Sequence, residues 1–263
     1  MIKAARRASQ IINRAAQDVE HLRITPKQYN NDFVTEVDKA AEAAIIEILR
    51  TAYPDYGILA EESGATDASD GGKDYQWIID PLDGTTNFIH GFPHYAVSIA
   101  LTYKGVPNQA VVYDVVRNEM FTASKGGGAF LNERRIRVTK CDRMEKALLG
   151  TGFPFRNFEH VKPYLGMFKD FAERTAGIRR AGSAALDLAY VACGRFDGFW
   201  EIGVLPWDIA AGALLITEAG GLVSDLSGGD EYLKTGNLVA GTPKIFSQML
   251  QVVDSYRSSS LQA

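Results

Sequence analysis

Apolar residues recur at helical spacing from the start of the chain. Ile2, Ala5, Ala8, Ile12, Ala16, Val19 and Leu22 fall on one face of a 3.6-residue period, which predicts an opening helix. Its basic beginning, Met1 to Arg7 with no acid before Asp18, would also suit a targeting segment. The unbroken period favours an ordinary amphipathic helix. A second stripe, Val37, Ala40, Ala41, Ala44, Ile45, Ile48, Leu49 and Ala52, predicts about four turns beginning near Thr35. Thr35 and Asp38 have the Thr-x-x-Asp spacing of a capping box. Pro54 and Gly57 end that helix. Two short apolar runs follow, 58–60 leading into Glu61-Glu62 and 77–79 leading into Asp80, with a polar, glycine-bearing loop at 66–73 between them.

From residue 95 the pattern becomes that of strands. Residues 95–103, 109–113, 120–123 and 136–138 are separated by turn signals at Lys104-Gly105, Arg117-Asn118 and 126–128. Consecutive strands with short turns predict an antiparallel meander. Beyond Lys140 the pattern alternates. Strands are expected at 147–151, around Ile178, at Gly198–Ile202 and at Leu222–Ser224; helices at 160–175, 184–193, 208–219 and near 243–257. The expected division is an α+β half with an antiparallel sheet, residues 1–138, and a smaller C-terminal α/β half, residues 139–263. The end at 258–263 reads as a frayed tail. A site is expected where the halves meet.

The 263 residues, 46% hydrophobic and 23% charged, are enough for one large domain or two small ones. Lys+Arg 28 against Asp+Glu 32 leaves a net charge of −4, without the overall basic footprint of a nucleic-acid binder. Direct nucleic-acid contact is not expected. No run approaches the roughly 18 apolar residues of a membrane span, so no membrane association is expected. Cys141 and Cys193 are too few for a disulfide framework, and no Cys-x-x-Cys offers a zinc site. A reducing, cytoplasmic setting is the expectation.

Three acidic clusters stand at the end of a short apolar strand or the start of a helix: Glu61-Glu62-Ser63, the run from Asp80 to Asn87, and Trp207-Asp208. Asp80 follows a buried strand and needs a counter-charge. Pro81 is expected to break the strand and send Asp83 round a turn, so that two acids converge. Gly84-Thr85-Thr86 then opens a helix whose free N–H groups suit a phosphate. Hard carboxylate oxygens beside such a helix end favour Mg²⁺. Structural explanations stand beside these. Asp208 also reads as a cap for the helix that follows, and Asp38 as part of its capping box. An aspartyl-nucleophile phosphatase would need Asp-x-Asp-Gly-Thr, and Pro81 stands where the first aspartate belongs. No P-loop is present. Ser183 lacks the Gly-x-Ser-x-Gly setting of a nucleophile and reads as a helix cap.

The run Asp80-Pro81-Leu82-Asp83-Gly84-Thr85-Thr86-Asn87-Phe88 resembles the metal-binding signature of the inositol monophosphatases. Trp207-Asp208-Ile209-Ala210-Ala211-Gly212 resembles their second signature. The run from Asp32 to Asp38 and Glu61-Glu62-Ser63 fall in the family's order. Gly152-Phe153-Pro154-Phe155 and the run from Gly182 to Tyr190 resemble the bacterial SuhB-type branch.

The resemblance spans nearly the whole chain and implies a layered αβαβα sugar-phosphatase fold. It implies hydrolysis of myo-inositol monophosphate with two or three Mg²⁺ ions. Glu61, Asp80 and the Leu82 carbonyl would hold the first; Asp80, Asp83 and Asp208 the second; Glu61 and water a third. Thr85, oriented by Asp38 and with Glu62 close by, would help activate the attacking water. Gly84 and Thr85 would donate backbone N–H groups to phosphate, beside Glu61, Asp83 and Asp208. Gly182, Ala184 and Glu201 would meet the inositol hydroxyls. Four carboxylates and a phosphate dianion would balance three Mg²⁺. The resemblance further implies inhibition by Li⁺ and a homodimer. Relatives acting on fructose bisphosphate, NADP, adenosine bisphosphate or histidinol phosphate would share the hydrolytic site. For the SuhB-type branch it also implies a role with transcription antitermination factors, separable from hydrolysis.

Overall fold

The computed structural model describes residues 1–21, 24–26 and 33–256. Leu22, Asp32 and the tail at 258–263, named above, lie outside them. Helix α1 (Ile2–Ala15) comes first, then strands β1 (Ile24–Pro26) and β2 (Phe33–Thr35), then helix α2 (Glu36–Ala52). Strands β3 (Gly57–Ala60), β4 (Gly64–Thr66) and β5 (Tyr75–Asp83) lead to the short helix α3 (Thr85–Ile89). A meander follows: β6 (Ala96–Tyr103), β7 (Val106–Asp114), β8 (Glu119–Ser124), β9 (Gly128–Leu131) and β10 (Arg134–Arg135). Then come β11 (Leu148–Thr151), α4 (Val161–Arg174), β12 (Gly177–Arg179), α5 (Ala184–Ala192), β13 (Gly198–Ile202) and α6 (Pro206–Glu218). The described chain closes with β14 (Leu222–Ser224), α7 (Tyr232–Thr235), β15 (Asn237–Gly241) and α8 (Pro243–Asp254).

Strand alternation sorts the side chains into three cores. In β5, Trp77 and Ile79 pack toward α1 and α2 with Ile12, Ile45 and Leu49, while Ile78 faces the other way. In β13, Phe199 joins Ile78 in the middle core, whereas Trp200 points outward to Phe171 and Met249. Helices α5 and α6 fill the middle core. Small residues on the sheet face, Ala96, Ala100, Ala110 and Ala123, meet Ala210 and Ala211 of α6 and let helix and sheet approach closely. Among the described residues the order of layers is therefore α1 and α2, an eight-stranded sheet, α5 and α6, a five-stranded sheet, and α4 with α8. This is the αβαβα layering that the resemblance implies.

The meander forms as expected: β5 through β10 are antiparallel neighbours, and 126–128 makes the β8–β9 turn. Among the described residues, only β3 and β5 pair in parallel within this sheet. Three expectations need correction. Residues 136–138 form no strand: the turn with Asn132 and Glu133 at positive φ joins β9 to a two-residue β10, and the ladder ends at Arg135. The chain then leaves the sheet, with Val138 N–H donating to the Ala219 carbonyl. Pro81 does not break its strand: β5 continues to Asp83 through a bulge. Helix α6 starts at Pro206, so Asp208 sits inside its first turn rather than before it. Strand β15 and helix α7 were not anticipated, since three apolar residues between glycines carry almost no period. No helix among the described residues is long and apolar enough to cross a membrane.

Candidate active site

Parallel pairing of β3 and β5 brings Glu61, just past β3, and the Asp80-to-Asp83 stretch to one edge of the larger sheet. The bulge decides where the β5 acids point. Asp80 pairs with Ser98 and Asp83 with Ala96, so three steps along β5 match two along β6. One extra residue twists the strand end and re-aims its side chains. Asp80 Oδ1 accepts the Leu82 amide at 2.9 Å. Asp83 Oδ2 accepts the Ser183 hydroxyl at 2.6 Å and the Ala185 amide at 2.7 Å, which ties the acid to the start of α5. Gly84 then turns the chain at φ +97°, and a Cβ there would stand 3.0 Å from the His94 carbonyl. Only glycine accepts both the conformation and the closeness.

Asp38 lies behind this edge, fully buried in the first turn of α2. Its Oδ2 accepts the Thr35 amide and hydroxyl, completing the capping box. Its Oδ1 accepts the Thr85 hydroxyl at 2.8 Å. The Leu82 carbonyl lies 3.0 Å from the same hydroxyl, a longer contact than the one to Asp38. Asp208 likewise combines two settings. Its Oδ2 accepts the Leu205 amide as a capping-box acid and lies 3.6 Å from Arg156 Nη1. The capping-box reading of Asp38 holds, whereas Asp208 accepts an amide from within the first turn of α6 instead of capping it from before; neither contact removes the residue from the site.

These groups border a cavity of about 490 Å³. Glu61, Asp80, Leu82, Asp83, Gly84 and Thr85 line it from the first part of the chain, and Gly182, Ala184, Glu201 and Asp208 from the second. Two expected residues do not line it. Asp38 reaches it only through Thr85, and Glu62 sits beside Glu61 on the turn. Arg156, Arg180 and Asp187 also line the cavity and are not among the residues expected there: the two arginines lie outside the motifs, and Asp187 lies within the Gly182-to-Tyr190 run, where helical spacing alone does not mark it.

Burial, and then the charges of Glu61, Asp83 and Asp208, hold the Asp80 carboxyl well above its ordinary range. Burial and Asp208 push Asp83 up to about 7, against the pull of Ser183, Ala185 and Arg156. Burial, then Asp208 and Asp83, push Glu201 up to about 8. So many buried carboxylates crowd one cavity that positive charge is short there. Hard oxygen donors with a charge deficit suit a hard divalent cation such as Mg²⁺. Among the described residues no three His, Cys, Asp or Glu side chains stand as a ready ligand shell. Asp80 and Asp83 each have one oxygen engaged by the protein. The residues suit the ion by donor type and charge.

The chain matches the inositol monophosphatase family over residues 1–258. It is 53% identical over 263 residues to a Pseudomonas aeruginosa protein named Nus factor SuhB, covering 99% of this chain and 97% of that one. The solved extragenic suppressor protein suhB of Bartonella henselae superposes with a TM-score of 0.92 at 41% identity, covering 96% of each chain. The solved inositol monophosphatase of Anabaena does so with a TM-score of 0.84 at 38% identity, covering 98% of this chain and 95% of that one. Signature residues gathered at one cavity, a five-layered fold and similarity along almost the entire length agree: the chain belongs to the inositol monophosphatase family.

Proposed function

We propose that this protein hydrolyses myo-inositol monophosphate to inositol and phosphate with Mg²⁺. The observation that carries the reading is the Thr85–Asp38 hydrogen bond beside a cavity of buried carboxylates. Glu61, Asp80, the Leu82 carbonyl, Asp83 and Asp208 would hold two ions, with a third at Glu61. Bound there, Mg²⁺ lowers the pKa of water and offsets charge on the phosphoryl and leaving oxygens. Thr85 would take a proton from the attacking water as its own hydroxyl proton passes along the hydrogen bond to Asp38 Oδ1. The amides of Gly84 and Thr85, at the start of α3, are the proposed phosphate donors. Gly182, Ala184 and Glu201, which line the same cavity, would meet the alcohol, where the Glu201 carboxyl can hydrogen-bond ring hydroxyls.

The test is a kinetic screen of purified protein with Mg²⁺ against inositol, fructose, adenosine, NADP and histidinol phosphoesters, with Asp83→Asn as control. The expected outcome is the highest kcat/KM on inositol monophosphate and none in a folded Asp83→Asn protein. A preference for another ester overturns the substrate, and full activity in Asp83→Asn overturns the metal assignment.

The name Nus factor, carried by the Pseudomonas relative, favours a second role with transcription antitermination factors. Growth of a null strain rescued by the inactive Asp83→Asn protein would assign the cellular role to binding. Failure of that rescue would assign it to turnover.

A further inference from the structure

Helix α2 carries a second buried acid one turn beyond Asp38. Glu42 is 3% exposed, on the same face as Val37, Ala41, Ile45 and Leu49. Packing gives no reason for a carboxylate among those neighbours. Its reason is a contact across the fold. Glu42 Oε2 accepts the Glu62 amide at 2.8 Å, and Oε1 accepts the Ser63 amide at 2.9 Å. Strands β3 and β4 pair as far as Ala60 and Gly64, so Glu61, Glu62 and Ser63 are the entire turn between them. Both oxygens of one buried carboxylate therefore hold that turn by its backbone. Glu61 of the turn lines the cavity. The i, i+4 spacing puts Asp38 and Glu42 on one face of one helix. Asp38 fixes Thr85 and Glu42 fixes the turn, so α2 sets the distance between the two arms of the site.

We propose that Glu42 is a positioning residue for the metal-dependent reaction, holding Glu61 and Glu62 in register with the Thr85–Asp38 pair. The proposal rests on the metal-dependent reading above. In Glu42→Gln the volume is kept, but one acceptor becomes an NH₂ group facing an N–H donor. The turn then loses one of its two anchors. Outer partners of metal ligands typically matter about 10–100-fold in metal affinity or activity.

Calorimetric titration of Mg²⁺ into wild type, Glu42→Gln and Asp83→Asn tests this, together with kcat and KM at fixed Mg²⁺. The expected result for Glu42→Gln is Mg²⁺ binding weakened about tenfold or more and kcat reduced, with KM within about twofold of wild type. Wild-type Mg²⁺ affinity and kcat in Glu42→Gln, beside weakened binding in Asp83→Asn, overturn the positioning role alone. Undiminished affinity in both variants overturns the metal site and this proposal with it. If Glu42→Gln does not fold, Glu42→Asp replaces it. That variant keeps both acceptors one methylene short, and the same weakening is expected from it.

Discussion

Asp38 divides its two oxygens between the start of α2 and the Thr85 hydroxyl at the cavity. Oδ2 closes the capping box of α2, and Oδ1 holds the Thr85 hydroxyl. Asp38→Asn should therefore lower both the melting temperature and kcat. The lost cap costs about 1 kcal/mol. The lost acceptor lets the Thr85 proton turn away, and general-base help is worth about 10²–10⁴-fold. Thr85→Ala should lower kcat by a similar factor with little change in melting temperature. KM should barely move in either variant, because neither group carries most of the substrate binding. Steady-state kinetics paired with calorimetric melting checks this. An Asp38→Asn protein that melts lower but keeps kcat would reduce Asp38 to a cap.

At the scale of elements, the starts of helices double as the walls of the site. Ser183 caps α5 by accepting the Leu186 amide at 3.3 Å and also donates its hydroxyl to Asp83. Ser183→Ala should destabilise the protein by about 0.5–2 kcal/mol in urea titration. It should also lower kcat/KM, since Asp83 keeps only the Ala185 amide to orient it. Ser183→Thr, which retains the hydroxyl, should restore most of both. An unchanged urea midpoint in Ser183→Ala would remove the cap from the account. The bulge of β5 is a second such element. It turns a strand end into two differently aimed acids without ending the strand.

For the whole molecule, the gathering of acids makes stability depend on pH and on cation. Glu201 has its folded pKa raised to about 8 from an ordinary 4.5. The folded state binds that proton more tightly than the unfolded chain does. Its contribution is thus fully present below about pH 4.5 and is lost as pH rises to about 8. Chelated protein should melt progressively lower across that window, Glu201→Gln should flatten the decline, and added Mg²⁺ should reverse it near pH 8. Scanning calorimetry at several pH values reads all three, and a melting temperature that rises across the window would contradict the account. Much of the molecule was legible in the chain. The Thr35–Asp38 capping box, the meander and the ordered acidic motifs are local, so their period and spacing survive in one dimension. The stripe of α2 was read correctly as a helix, yet Ala40 is exposed and Glu42 buried. Hydrophobicity cannot foresee an acid drawn inward by amides 20 residues away. The absence of a strand at 136–138 and the places of Arg156 and Asp187 on the cavity wall share that cause, for they depend on which segments meet. Sequence by itself determined the long helices, the meander and the family's motif residues. Tertiary structure alone decided that parallel β3 and β5 and the starts of α5 and α6 open on one cavity, because burial and electrostatic crowding exist only once distant segments pack together.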